Sequence, residues 1–321
     1  MRELTAIDVQ IIKELLKDGR KSFSSIAQEC KTSKDIIWKH YKELKKAGVI
    51  VGASIQMDCR KLGYSGVATI SISLETQNMA ATFERLKNTL GLGIFRYYNT
   101  SNTLTVLSIL KDLSDLQHAK EIISKQNKIN EIRTNLWLDV RNIPENMLND
   151  KAASIQAFRA YKPPTGGDTF RIDSTDLEII EKLAKNGRMP FSKIAKEMAL
   201  STNTIVRHYE KLVKNNVIKV SIQINPLEIG FQAILESNLA LSNQSEINEI
   251  ADRLTQIPGV SYIVKLGGNY DLMVVALVKD CKDIIAINDE IVKIPNIKKI
   301  EAALRQIPQC WPGQRQYIST F

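Results

Sequence analysis

Residues 8–50 read DVQIIKELLKDGRKSFSSIAQECKTSKDIIWKHYKELKKAGVI, and residues 176–218 repeat the pattern as DLEIIEKLAKNGRMPFSKIAKEMALSTNTIVRHYEKLVKNNVI. The two stretches align without a gap, and 20 of their 43 positions are identical. The similarity continues, with one residue skipped, from residues 54–64 to residues 221–231. This self-similarity predicts a tandem duplication of a unit of about 150 residues.

Each copy begins with the residue spacing of three helices. Ile11, Ile12 and Leu15 share one helical face, and Gly19 ends this first pattern. A second helix is expected around residues 26–27, and Ser33 can then cap a third helix. This arrangement is typical of a helix-turn-helix. The strand-like segments ASIQM and SIQI that follow predict the wing of a winged helix.

After the wing, the apolar pattern changes from helical to alternating. In the second copy it predicts a strand at 231–241, a helix at 246–257, hairpin strands at 260–266 and 270–278, a helix at 283–294 and a strand at 297–304. Residues 64–138 offer the same order in the first copy. The order βαββαβ predicts a ferredoxin-like domain with both helices on one face of its sheet. The bare face then needs a cover, which is usually another copy.

The predicted fold class is therefore α+β, with two winged helix-turn-helix domains and two ferredoxin-like (βαββαβ) sensor domains in tandem. The predicted boundaries are 1–58 (winged helix-turn-helix), 59–140 (degenerate sensor domain), 141–172 (linker), 173–225 (winged helix-turn-helix), 226–306 (sensor domain) and 307–321 (tail). The linker is predicted because its residues lose clear periodicity and include a run of proline and glycine.

Composition limits the class of protein. The 321 residues are 44% hydrophobic and 25% charged, which is ordinary globular composition. We find no long apolar run and no secretory signal, so we expect a cytoplasmic protein that does not span a membrane. Four dispersed cysteines and three histidines predict no disulfide framework and no metal site, and no cofactor is expected. The net charge of +9 suits a polyanionic partner.

The ordered pair of domains resembles the Lrp/AsnC (feast/famine) family of prokaryotic transcription regulators. The matching pieces are residues 8–12 with Gly19-Arg20, residues 176–180 with Gly187-Arg188, and the hairpin from Gly259 to Asp271. The resemblance implies a regulator that binds double-stranded DNA, senses a small molecule such as an amino acid, and associates through its sensor sheets. Family members usually carry one unit per chain, whereas this sequence carries two.

Positive charge is concentrated in the two predicted helix-turn-helix domains. Residues 1–58 and 173–225 each carry a net charge of +3, whereas residues 226–321 carry −2. Phosphate neutralisation supplies much of DNA affinity, so the third helix of each copy is the predicted reading helix. The alternative for each charged residue is a solvated helix face. The candidate DNA-binding residues are Ser33, Lys34, Trp38, Lys39, Lys42, Ser201, Thr202, Asn203, Arg207 and Lys214.

The sensor hairpin of the second copy is the predicted effector site. Its candidate residues are Gly267, Gly268, Asn269, Tyr270 and Asp271. The glycines allow close backbone approach to a ligand, and Asp271 offers a carboxylate to an α-amino group. The alternative is ordinary hairpin-turn chemistry. Because the first copy has Thr100-Ser101-Asn102-Thr103 at this turn, we expect one type of effector site per chain.

Other functions remain open from the residues. Siroheme decarboxylases are similar in architecture and also come as paired units, so an enzyme of that kind is the main alternative. A sensor whose helix-turn-helix domains bind protein is another. His40 and His208 occupy equivalent positions beside tyrosines. We interpret this duplicated pair as structural, or as phosphate donors, rather than as metal ligands.

Overall fold

A computed structural model describes residues 3–58, 61–75, 78–90, 93–98, 103–125, 129–148, 171–313 and 316–317. The helices are α1 (Ala6–Lys17), α2 (Phe23–Glu29), α3 (Lys34–Lys46), α4 (Met79–Leu90), α5 (Leu113–Ser124), α6 (Ser174–Lys185), α7 (Phe191–Glu197), α8 (Thr202–Lys214), α9 (Ile247–Thr255) and α10 (Cys281–Val292). None of the helices in these ranges is long and apolar enough to cross a bilayer.

The strands follow the same duplicated order. They are β1 (Ile50–Met57), β2 (Gly66–Leu74), β3 (Gly93–Tyr98), β4 (Thr103–Leu110), β5 (Ile129–Asn142), β6 (Ile218–Ile224), β7 (Ala233–Leu241), β8 (Val260–Gly267), β9 (Leu272–Val278), β10 (Ile297–Gln306) and β11 (Gln316–Tyr317). The predicted α+β class is confirmed: each copy contains three helices followed by a strand and then by a βαββαβ sensor domain.

Side-chain caps and left-handed residues set the helix boundaries in both helix-turn-helix regions. The hydroxyl of Ser33 accepts a hydrogen bond from the backbone N–H of α3 three residues later, and Ser201 does the same for α8. The turn before each cap contains a residue with positive φ, Lys31 at 50° and Ala199 at 53°. The reading helices therefore begin at the serines that the sequence indicates.

The strands predicted as wings pair with each other. β1 and β6 are antiparallel, and Ser54 lies opposite Ser221, its equivalent in the repeat. On either side of this pair, Ala53 lies opposite Ile222 and Ile55 lies opposite Val220. Because equivalent positions face one another, a pseudo-two-fold axis passes between the two serines. This axis relates the first helix-turn-helix to the second.

Each helix-turn-helix core is completed by the strand of the other copy. Ile55 and Met57 of β1 belong to the apolar cluster of the second helix-turn-helix, with Ile179 and Leu183. Reciprocally, Ile222 of β6 belongs to the cluster of the first. Burying a side chain of this size contributes about 1.5–3 kcal/mol. Neither core is therefore complete without the strand from the other copy.

Two arginines hold the helix-turn-helix regions together in a reciprocal way. Arg20 donates to the carbonyl oxygens of Gly187 (2.7 Å) and Met189 (3.1 Å). Arg188 donates to the carbonyl oxygen of Gly19 at 2.5 Å. Each guanidinium also lies over an aromatic ring of the opposite copy, and Arg20 is 3.9 Å from the ring centroid of Phe191. The Gly-Arg pairs in the repeats are thus contacts between the copies.

The two sensor sheets close into one eight-stranded barrel. Its strand order is β10-β3-β4-β2-β5-β8-β9-β7, and the copies join where β5 pairs with β8 and β10 pairs with β3. In β2, Ile70 and Ile72 pack in an apolar cluster with residues of α4 and α5, whereas Ser71 lines the barrel interior. The expected cover for each sheet is therefore the other copy in the same chain.

The structure differs from the predicted linker and tail. β5 continues to Asn142, and a 3₁₀ helix (Pro144–Leu148) that follows it packs against α1 and β8. The amide of Asn146 in this turn donates to the backbone oxygens of Ile257 and Val260. Residues 141–148 are therefore an ordered part of the sensor region, because burial and these hydrogen bonds hold them. Residues 149–170 of the predicted linker lie outside the described residues.

The predicted tail returns to the helix-turn-helix sheet. Trp311 is 6% exposed and exchanges two backbone hydrogen bonds with Ile224, of 2.8 and 2.9 Å. β11 then pairs in parallel with β1. Apolar burial and strand pairing thus make this segment an extension of the sheet between the two helix-turn-helix regions.

Gly19→Ala tests the contact between the copies. A Cβ at residue 19 would lie 2.8 Å from the backbone carbonyl carbon of Ser221 and from Cγ1 of Val220. We expect Gly19→Ala to lower the free energy of unfolding by about 1–3 kcal/mol, measured by urea denaturation. Gly66→Ala is the control, since nothing lies within 4 Å of a Cβ there. Equal stability of both variants would contradict the observed packing.

Candidate nucleic-acid interface and sensor cavity

α3 separates a buried face from a cationic exposed face. Ile37, Tyr41 and Leu44 are buried in the first helix-turn-helix core. The predicted DNA-binding residues of this copy are all exposed: Ser33, Lys34, Trp38, Lys39 and Lys42. Because the helical repeat places apolar and polar residues on opposite sides, the reading face predicted from the sequence is accessible in the structure.

Trp38 is held in place by aromatic neighbours while staying 42% exposed. Its ring centroid lies 5.3 Å from that of Phe23 and 5.9 Å from that of Tyr41, with the Tyr41 ring stacked. The ammonium of Lys42 lies 4.8 Å from the Trp38 ring centroid. Trp38 therefore packs against α2 and also presents a surface to solvent.

α8 presents a different exposed face. Its predicted residues are exposed as well: Ser201, Thr202, Asn203, Arg207 and Lys214. Val206 replaces Trp38, so this face lacks the exposed tryptophan and the Lys42 contact. Neither Lys39 nor Arg207 takes part in an ion pair with another residue in the described ranges. Both cations are therefore available to a partner.

A buried carboxylate connects the first helix of each copy to its reading helix. Asp8 and Asp176 are fully buried, and each accepts a hydrogen bond from a histidine ring nitrogen, of His40 at 2.8 Å and of His208 at 2.7 Å. In the second copy Lys211 adds a contact of 2.9 Å to Asp176. The duplicated histidines thus join α3 to α1 and α8 to α6.

The second of these clusters tests the prediction of no metal site. Ligand atoms of Asp173, Asp176 and His208 all lie within 4.8 Å of one another. The carboxylate of Asp176 is already in contact with Lys211 and His208, and it also accepts from the backbone N–H of Asp173. A cation here would lie against the Lys211 ammonium, so the donor set fits an ion-paired cap better than a metal.

The electrostatics of Asp176 follow from the same contacts. Burial by itself would raise the pKa of the Asp176 carboxyl. The hydrogen bonds from Lys211 and His208 outweigh burial, and the pKa of Asp176 lies below its ordinary value. The carboxylate is therefore ionised in the folded protein at neutral pH.

The glycines of the sensor hairpin approach the first copy. A Cβ at Gly268 would lie 2.6 Å from the carbonyl oxygen of Thr134 and from Oδ1 of Asn135. The backbone N–H of Asn269 donates to the same Asn135 oxygen at 3.0 Å. The sequence predicted that a ligand lies close to the backbone of this turn. At Gly268 that space is filled by residues of strand β5. The effector role of this turn stays a prediction.

Tyr270 and Asp271 point to different parts of the sensor region. Both carboxylate oxygens of Asp271 accept hydrogen bonds, from the backbone N–H of Leu241 (2.7 Å) and from the amide of Gln244 (2.9 Å). Tyr270 is 7% exposed, and its hydroxyl bonds the carboxylate of Glu301. The five predicted effector residues therefore do not line one common surface.

Tyr270 lines a polar cavity of about 70 Å³ inside the barrel, which we call the barrel cavity. The side chains around it come from both copies: Ser71, Ser73, Thr103, Thr105, Glu131, Arg133, Asn135, Glu236, Asn238, Tyr270, Glu301 and Ala303. The sequence analysis missed most of them. The alternation of Ile with Ser and Thr in residues 69–73 is the signal that marks an interior polar face.

Comparison with known proteins gives separate matches for the helix-turn-helix regions and for the second sensor domain. A model of winged helix-turn-helix DNA-binding domains matches residues 4–51 and 172–219, and a model of the Lrp/AsnC ligand binding domain matches residues 232–305. The HTH-type transcriptional regulator LysM of Saccharolobus solfataricus is 33% identical over 126 residues, which cover 39% of this chain and 87% of LysM. The chain belongs to the Lrp/AsnC family.

This Lrp/AsnC protein is similar both to regulators that match less than half of its length and to a solved structure that matches nearly all of it. The regulator LrpA of Pyrococcus horikoshii is 27% identical over 135 residues, covering 41% of this chain and 95% of LrpA. The crystal structure of the siroheme decarboxylase NirDL superposes on 98% of this chain and 94% of its own, with a TM-score of 0.63 and 16% identity. At that identity the likeness shows a shared fold.

Asp176→Asn tests the buried contact behind the second reading helix. A carboxyl whose pKa is lowered by folding contributes stability above its unfolded pKa, and that contribution is lost as pH falls through the folded pKa. We expect the variant to be less stable than the unmodified chain by about 1–3 kcal/mol at pH 7. The gap should narrow from about pH 5 towards pH 2, measured by urea denaturation at each pH.

Asp289→Asn is the control for this measurement, because Asp289 is exposed on α10. Its stability should follow that of the unmodified chain at every pH. If the difference in unfolding free energy between Asp176→Asn and the unmodified chain stays constant over the whole pH range, the carboxylate charge contributes nothing to stability.

Proposed function

We propose that this Lrp/AsnC protein is a DNA-binding transcription regulator that reads two unlike half-sites with α3 and α8. The observation that carries the proposal is the pairing of β1 with β6, in which Ser54 faces its equivalent Ser221. This pairing sets two capped helices with exposed cations about one pseudo-two-fold axis. Helix-turn-helix dimers bind two half-sites through the same symmetry.

The chemistry of the two exposed faces supports unlike half-sites. α3 offers mainly lysines, which are point charges suited to phosphates, together with the exposed ring of Trp38. α8 offers Asn203 and Arg207, whose planar groups pair with adenine and guanine edges. We therefore propose that α8 contributes more of the base recognition and that α3 contributes more of the salt-dependent affinity.

Lys39→Ala and Arg207→Ala test this assignment. Each variant is expected to weaken binding to a selected duplex, and loss of one phosphate contact lowers the slope of log affinity against log salt by about one. Lys298→Ala is the matched control, since it removes one exposed positive charge from β10 of the sensor domain. Fluorescence anisotropy at several salt concentrations measures both the affinity and the slope.

Duplexes with one half-site altered separate the two helices. Arg207→Ala should lose discrimination at one half-site and Lys39→Ala should lose affinity at both sequences alike. Affinity and slope equal to those of Lys298→Ala for both variants would remove α3 and α8 from the interface. Salt-insensitive binding, or none, would favour helix-turn-helix domains that bind protein.

We also propose that a small effector acts on the sensor barrel. The support is the match of residues 232–305 to a ligand binding domain and the barrel cavity that these residues share with the first copy. The reading helices and the barrel are connected through packed residues, because Met147 and Tyr262 belong to the same apolar cluster as Ile37. This continuity offers a physical route from ligand to reading helix.

A decarboxylase on the same architecture is the second candidate, and the fold likeness to NirDL brings it forward. Pockets for organic ligands measure roughly 300–1,000 Å³, so the barrel cavity of about 70 Å³ is small for a tetrapyrrole. A second pocket of about 670 Å³, whose lining includes Phe231, Ile287 and Lys293, lies within that range. His40 and His208 lie in the helix-turn-helix regions, and His118 is exposed on α5. The three histidines therefore all lie outside the barrel.

Siroheme distinguishes the two candidates directly. A regulator is expected to leave the absorption spectrum of added siroheme unchanged and to release no carbon dioxide from it. A stoichiometric spectral change with release of carbon dioxide would favour the enzyme. A protein of similar size that has no tetrapyrrole site controls for non-specific adsorption of siroheme.

A further inference from the structure

The two reading helices differ at a matched pair of residues, Asp35 and Asn203. These residues are equivalent in the repeat, and each is the second residue of its helix, two positions after the capping serine. Their side chains have nearly the same shape but different hydrogen-bonding groups. A carboxylate only accepts hydrogen bonds, whereas an amide both donates and accepts. The pair therefore presents two different chemistries at one position of the fold.

Both side chains point away from the protein core. Ile37 and Ile205, two residues further along each helix, are fully buried. A separation of two residues corresponds to about 200° around an α-helix. Asp35 and Asn203 are exposed on the opposite side, at the amino-terminal end of each reading helix. In helix-turn-helix proteins the amino-terminal residues of this helix contact base edges in the major groove.

Neither side chain has a partner in the part of the chain that the structure describes. No hydrogen bond or ion pair joins Asp35 to Lys39 one helical turn away, and Asn203 makes no side-chain hydrogen bond there. Other acids in first turns, Asp115 and Asp283, accept a backbone N–H that lies in front of their helix. Asp35 makes no such capping contact among the described residues, so its carboxylate is available to DNA.

Base edges in the major groove match the two groups differently. Guanine and thymine present hydrogen-bond acceptors there, cytosine presents an amino donor, and adenine presents an amino donor beside an acceptor. A carboxylate is therefore repelled by guanine and thymine and pairs with the amino group of cytosine. At adenine, its second oxygen lies near the N7 acceptor. The amide of Asn203 satisfies both groups of adenine with two hydrogen bonds.

The charge of Asp35 adds a penalty against other sequences. The neighbouring exposed residues of α3 are cationic, and they include Lys34, Lys39 and Lys42. These lysines attract any duplex through its phosphates, without regard to sequence. A carboxylate in their midst loses hydration and repels the DNA unless a base donor meets it. Specificity can arise from such a repulsive element as well as from a favourable contact.

We infer that Asp35 and Asn203 are paired base-selecting residues of this protein. On the strand that each helix reads, the half-site of α3 contains a cytosine at the position where the half-site of α8 contains an adenine. The inference rests on the proposed reading of DNA by both helices, and it names one feature of the operator. The pseudo-two-fold axis relates the two bases as it relates the two side chains.

Exchange of the two groups tests the inference. Duplexes are selected from a random pool with the full chain at one fixed salt concentration, and the selected sites are sequenced. The unmodified chain should select cytosine in one half-site and adenine at the symmetric position of the other. Asp35→Asn should select adenine in both half-sites, and Asn203→Asp should select cytosine in both. Each variant thus makes the selected site symmetric at this position, with a different base.

Fluorescence anisotropy measures the size of the effect. For the unmodified chain, replacing the selected cytosine and its complement by any other base pair should weaken binding by roughly fivefold or more. In Asp35→Asn the order of preference between cytosine and adenine should be reversed. Asp289→Asn is the control, because it removes one exposed negative charge from α10 and should keep the preference of the unmodified chain.

The outcomes separate this inference from the proposed function. Circular dichroism verifies that each variant is folded. If Asp35→Asn tightens binding to all duplexes by the same factor and leaves the selected bases unchanged, Asp35 acts only through its charge. The inference is then wrong, and the proposed regulator stands. Selection of one and the same base at both positions by the unmodified chain would overturn the inference as well. If the unmodified chain selects no sequence, the inference and the proposed function both fail.

Discussion

The antiparallel pairing of β1 with β6 is the constraint on which the rest of the structure depends. It completes two helix-turn-helix cores at once, since each core receives apolar residues from the strand of the other copy. Gly19 and Gly187 allow the first helix of each copy to approach the opposite strand, where their N–H groups donate to Val220 and Ala53. The orientation of the reading helices is therefore a property of the pair of copies and not of either alone.

Duplication within one chain allows equivalent positions to carry different residues, which a symmetric homodimer cannot do. On the axis of a homodimer identical residues meet, so a charged residue there faces its own like. In this chain Arg133 meets Glu301 at equivalent positions. For the same reason the exposed faces of α3 and α8 carry different residues. The unlike exposed faces of α3 and α8 and the ion pair of Arg133 with Glu301 are thus two consequences of one physical change.

The sensor hairpin illustrates how local and tertiary requirements compete for the same residues. Glycine next to an asparagine is good turn chemistry and is also compatible with close approach to a ligand. At Gly268 the group that approaches is the backbone of β5 in the other copy. The carboxylate of Asp271 accepts hydrogen bonds from the backbone N–H of Leu241 and from the amide of Gln244. Tyr270, between them in sequence, reaches the interior of the barrel because successive residues of extended chain point to opposite sides.

The sequence by itself determined the duplicated unit, the α+β class, the caps at Ser33 and Ser201 and the exposed face of each reading helix. These features depend on residues close together in the chain, whose periodicity and hydrogen bonding are local. Only the tertiary structure decided that β1 pairs with β6, that residues 141–148 are ordered, and that Thr105, Arg133 and Glu301 surround one cavity. The contacts that join the two copies link residues more than a hundred positions apart, and strand pairing between copies leaves no periodic signal in either strand alone.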